Sequence, residues 1–145
     1  MEKAKLNSQI PTMEKTMEKA KLNSQIEKMA EECSIINWDG YGAYPIGPQA
    51  VKHAKEFIRA IPDTIELPDY SPSPDGSVSL EWIFDRKIMI SISVGYNNIL
   101  AYAWLNNDEH GHGTIKFDGK VPEEIINRIL LLKENSKKLN SSAIL

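Results

Sequence analysis

The sequence predicts an α+β domain: an antiparallel β-meander of three to four strands packed against two or three helices, in the order α-α-β-β-β-β-α. Two observations carry that reading. Between residues 77 and 105, three successive runs alternate apolar and polar side chains, joined by links of only three or four residues, "DRK" and "GYNN". Links that short join antiparallel neighbours. On either side of the runs, apolar residues recur at intervals of three and four, the period of an amphipathic helix.

Taken in order, the decapeptide "MEKAKLNSQI" stands at 1–10 and again at 17–26. An offset of 16 residues turns a helix by roughly 160°, so one continuous helix would face the copies in opposite directions. Pro11 and Thr12 between them also oppose continuity. The doubling therefore reads as a duplication rather than as architecture. Residues 1–16 are expected to be a flexible extension, a single domain to span 17–138, and residues 139–145 to fray. Met17, Leu22, Ile26, Met29, Ala30 and Cys33 supply the stripe of a first helix over about 17–35. The phrase "NWDGYGAYPI" (37–46) then makes a corner. A second helix opens at Pro48, which suits a first helical position, buries Ala50, Val51, Ala54, Phe57, Ile58 and Ile61, and stops at Pro62.

The connector "ELPDYSPSPDGS" holds three prolines and a Pro-Asp-Gly turn, with room for a short edge strand near Tyr70. Strands follow in "SVSLEWIF", "IMISISV" and "ILAYAWL". "NNDEHGHG" reads as a loop and "TIKFD" as a shorter last strand. "VPEEIINRILLLKENSKK" is the strongest helix signal: Pro122 opens it, Glu123 and Glu124 favour its N-terminal end, and Ile125, Ile126, Ile129, Leu130 and Leu132 line a stripe. One sheet face should carry the helices. The other is partly polar, with Ser79, Glu81, Ser91 and Ser93, and the register decides whether Ile83, Met89, Leu100, Tyr102 and Trp104 add an apolar patch to it.

Bulk properties narrow the function. The net charge of −3 and the absence of a Lys/Arg run longer than two oppose general nucleic-acid binding. No apolar run approaches the roughly 20 residues of a membrane span. A single cysteine rules out an internal disulfide and fits a reducing, cytoplasmic setting. No phosphate loop, Rossmann glycine pattern, HExxH or nucleophile motif is present, so no catalytic residue and no cofactor are assigned. "EHGHG" offers His110 and His112 beside Asp108 and Glu109, but without a distant third nitrogen or sulfur ligand it reads as a solvated turn rather than a metal site. Cys33, on the helix stripe, reads as a core residue.

The residues expected to meet a partner or ligand are Trp38, Asp39, Tyr41 and Tyr44 of the corner, with Glu81, Trp82, Tyr102 and Trp104 of the strands. Loops of this kind often carry function, although aromatic corners also serve simply to pack. "NWDGYGAYPI" followed by a helix and "SPSPDGSVSLEW" resembles a family of small bacterial and phage-borne proteins with no established activity, which share a Trp-Asp-Gly-Tyr-Gly-Ala phrase, a Pro-Asp-Gly turn and a Leu-Glu-Trp strand. The resemblance covers about residues 37–105. It implies that Trp38, Asp39, Gly40, Tyr41, Gly42, Asp75, Gly76, Leu80, Glu81 and Trp82 form one unit, and that the role is antitoxin-like, immunity or host–phage defence. The leading expectation is a non-enzymatic interaction module that binds a protein partner or itself as a homodimer. The alternatives are a small metal-dependent hydrolase or nuclease using Asp39 and Glu81 across a common groove, and a small-ligand sensor at the aromatic corner.

Overall fold

The structure, a computed structural model, describes residues 12–144, with side chains through residue 139. Among these residues it holds helices α1 (Met13–Glu32), α2 (Pro48–Ala60) and α3 (Glu123–Ile144), and strands β1 (Asp69–Pro72), β2 (Val78–Asp85), β3 (Ile88–Val94), β4 (Ile99–Asn106) and β5 (Glu109–Lys116). The strands form one antiparallel sheet in the order β1-β2-β3-β4-β5. The α+β meander is as expected, with five strands rather than three to four. The segment around Tyr70 joins the sheet as β1. The stretch read as a loop before "TIKFD" belongs to β5, which starts at Glu109.

The first decapeptide copy, residues 1–10, and its expected mobility lie outside the described residues. The second copy lies in α1, which starts four residues earlier than expected because Thr12 caps it, the Lys15 amide donating to Thr12 Oγ1 at 3.0 Å. Leu22, Ile26, Met29, Ala30 and Cys33 are buried as expected, but Met17 is exposed and Lys19 takes the inward position. Its Nζ donates to the Ile61 carbonyl at 2.6 Å and the Arg59 carbonyl at 3.1 Å. These are carbonyls at the C-terminal end of α2, where a cation meets the negative end of the helix dipole. Burial lowers the Lys19 pKa, Asp63 opposes that shift, and Lys15 adds to it. Lys19→Met keeps the apolar stem and removes the charge; it should cost roughly 1 kcal/mol of stability in urea unfolding.

The core lies between the helices and one sheet face. Val78, Leu80 and Trp82 of β2, Ile88, Ile90, Ile92 and Val94 of β3 and Leu100 of β4 point into it, against Ala54, Phe57 and Ile58 of α2 and Ile125, Ile129 and Leu132 of α3. Leu130, expected on the α3 stripe, is exposed. α3 also continues through the residues expected to fray, to Ile144. The connector before β1 is held at both levels: the Trp82 indole donates to the Glu66 carbonyl at 2.7 Å, and the Glu66 carboxylate lies 2.8 Å from Lys133 Nζ of α3. The Lys133 hydrogen bond, opposed by partial burial, holds Glu66 below the usual carboxylate range.

Register fixes the opposite face, which no described helix covers. Side chains there fall into cross-strand rows. Ser71, Ser79, Ser93, Ala101 and Thr114 make one, and Asp69, Glu81, Ser91, Ala103 and His112 the next. Ile83, Met89, Leu105 and His110 make the third. Of the five apolar residues that the sequence left open, Ile83 and Met89 face this side, while Leu100, Tyr102 and Trp104 face the helices.

Candidate functional site: a rigid aromatic loop

The corner is a closed loop. α1 ends at Cys33, whose amide donates to Met29 O, and the Ile46 amide donates back to the Cys33 carbonyl at 2.9 Å. Residues 34–45 leave and return at one point, the geometry of a compact Ω-loop. Three side chains hold its interior. Asp39 Oδ1 accepts the Tyr41 and Ala43 amides at 2.8 and 3.0 Å, and Asn37 Oδ1 accepts the Gly42 amide at 2.6 Å. Trp38 packs against the core, and its indole donates to the Tyr44 carbonyl at 2.7 Å. The Asn37 amide closes the base on Ala43 O at 2.7 Å. Gly40 and Gly42 sit at φ of 80° and 86°, where a side chain would be strained, and Asn37 tolerates 68°.

The loop leans on the Pro-Asp-Gly turn. The Tyr44 amide donates to Pro74 O at 2.8 Å, and a Cβ on Gly76 would lie 3.1 Å from Pro45 O. The "NWDGYGAYPI" and "SPSPDGS" segments thus meet in space. Asp75 accepts from the Ser77 amide and hydroxyl at 3.0 and 2.6 Å, which tightens the turn.

What remains on the outside is apolar and aromatic. Tyr41 is 93% exposed, Tyr44 63%, Ile35 72% and Ile36 64%. Asn37 Oδ1, Asp39 Oδ1 and the Trp38 indole are spent on the loop's own backbone while four large side chains are displayed. Trp38 and Asp39 are therefore positioning residues, and Tyr41 and Tyr44 are the accessible ones.

The strand candidates lie elsewhere. Trp82 is a core residue, 6.4 Å from the Phe57 ring. Glu81 stands on the open sheet face, 3.4 Å from Ser79 Oγ. Among the described residues, no group of three or more His, Cys, Asp or Glu could hold a metal ion. Tyr102 and Trp104 lie on the helix side, partly buried against the core, with the Arg128 guanidinium 3.9 Å over the Trp104 ring.

The "EHGHG" phrase is explained by that placement. Gly111 pairs with Trp104 and Gly113 with Tyr102, while His110 and His112 point to the open face. A Cβ on Gly111 would lie 2.6 Å from the Trp104 ring, and one on Gly113 2.7 Å from the Tyr102 hydroxyl. The glycines are seats for the neighbouring rings. Sequence reasoning did not single out Ile35 and Ile36; the available signal was their position two and three residues after the last stripe residue, Cys33.

A cleft of about 330 Å³ borders the loop at Pro45 and is lined further by Gly47, Asp75, Ser77, Ser93 and Tyr96. Its lining does not include Trp38 or Tyr41. Among the described residues, no helix is long and apolar enough to cross a membrane. No family model matches the chain, and no curated protein or solved structure matches it.

Proposed function

We propose that the protein is a non-enzymatic interaction module whose contact with a protein partner is the Ω-loop at residues 34–45. One observation carries this reading: a loop fixed by Asn37, Trp38 and Asp39 displays Tyr41, Tyr44, Ile35 and Ile36 to solvent. Tyrosine is a preferred hot-spot residue because it adds large contact area with few rotatable bonds. A loop already held in place loses little further freedom on binding. The wider role that the resemblance implies, antitoxin-like, immunity or host–phage defence, agrees with a binding rather than a chemical task.

The test is capture from host-cell lysate on the immobilised full chain, beside Tyr41→Ala/Tyr44→Ala. Both side chains are exposed, so the double variant should keep its stability to within about 0.5 kcal/mol. It should bind the captured partner at least about 30-fold more weakly, the loss expected of one hot-spot residue at about 2 kcal/mol. A partner held equally by both proteins would overturn the assignment to this loop, as would a column that retains none.

A further inference from the structure

A second surface, distinct from the exposed Tyr41 and Tyr44 side chains, is the open sheet face. We infer that it is the interface of a face-to-face homodimer with its two-fold axis along β3. Rotation about that axis lays β1 on the partner's β5, β2 on its β4, and β3 on itself. The apolar row and the row of small residues then match by size, and in the charged row Asp69 finds a partner of complementary charge.

In the apolar row, Ile83 meets Leu105 of the partner subunit and Met89 meets the partner's Met89. Ile83 is 54% exposed in the single chain, so this contact would remove apolar surface from water. In the row of small residues, Ser79 meets the partner's Ala101 and Ser93 meets the partner's Ser93, which lets the sheets approach closely. In the charged row, Asp69 meets the partner's His112, a carboxylate opposite an imidazole N–H donor.

Packed sheets cross at about 30°, which displaces the outer strands by less than one row. Every side chain on the open side of β5, from His110 through His112 and Thr114 to Lys116, can donate to a carboxylate, so the acidic edge of β1 and β2 keeps a donor within reach. The alternative axis, across the strands, would set the bulky apolar row on the small row and forfeit both matches. Five strands at about 4.8 Å and three rows at about 7 Å cover about 500 Å² per chain. The pair would bury about 1,000 Å², the lower end for a specific interface.

Light scattering on the full chain tests this. The wild type should reach twice 16.3 kDa as concentration rises. Ala103→Arg, exposed near the centre of the face, should abolish the dimer while leaving the urea transition in place, and Ser91→Arg should do the same. Asp69→Lys/Glu81→Lys and His110→Glu/His112→Glu should each weaken self-association at least tenfold. Mixed together, the two charge variants should form a 1:1 heterodimer that Ala103→Arg abolishes. A wild type that stays at 16.3 kDa at its highest soluble concentration overturns the inference. So does a dimer indifferent to Ala103→Arg, or charge variants that do not pair. Tyr41→Ala/Tyr44→Ala should leave the dimer intact, which separates this result from the fate of the loop proposal.

Discussion

Phe57→Ala should lower the unfolding free energy by about 3–5 kcal/mol, the range for emptying a buried phenylalanine site. Phe57 has no exposed surface, and its ring centroid lies 6.4 Å from Trp82 and 5.6 Å from Phe117, tilted 59° and 52°. Those distances and angles suit edge-to-face contact between aromatic rings. The three rings join α2, the centre of β2 and the segment that leaves β5, so truncation opens a void where three elements meet. A domain of this kind holds about 5–15 kcal/mol in total, and the variant should lose a large part of it. Urea unfolding should show a lower midpoint at unchanged slope. A loss below about 1 kcal/mol would mean that the surrounding rings collapse into the space.

Gly111→Ala should cost about 1–3 kcal/mol, the penalty of overpacking, although alanine usually improves on glycine within a strand. The new methyl would stand 2.6 Å from the Trp104 ring, over which the Arg128 guanidinium lies at 3.9 Å. The cost should shrink by at least about 1 kcal/mol in a Trp104→Leu background, a coupling that a double-mutant cycle reads directly. His112→Ala, one residue away on the open face, should change the stability of the single chain, measured at a concentration too low for association, by no more than about 0.5 kcal/mol. Equal effects at positions 111 and 112 would contradict the seat.

The same residues explain where the sequence was readable. β2, β3 and β4 were legible because their inward positions carry their own apolar side chains: Val78, Leu80 and Trp82, then Ile88 to Val94, then Leu100 to Trp104. β5 was not, because Gly111 and Gly113 fill the inward positions and the volume above them comes from β4. Alternation of His and Gly carries no hydrophobic signal. Helix α1 was legible from Leu22 onward and misread at its start, where an apolar residue, Met17, faces water and a lysine, Lys19, faces in. The carbonyls at the end of α2 and the Asp63 carboxylate make that favourable, and they lie 40 or more residues away in the chain. In the corner, the residue types announced a turn, but a loop has no period from which to read direction. That Trp38 turns inward and Tyr41 outward depends on which carbonyl and amide groups the fold leaves nearby.

The strictly consecutive order of the sheet has a kinetic meaning. Every strand pairs with its neighbour in sequence, so each register can zip from a short turn without closing a long stretch of chain. Local pairing of this sort keeps the entropic barrier low, and domains dominated by it fold faster than those whose strands come from distant segments. The slower closures are those that bring α1 to β1 and α3 to β2 and β3. A hairpin-first route would have the meander in place as a template before the helices settle. Until they do, the apolar side of the sheet stands open, so self-association during refolding should be governed by how soon α3 arrives.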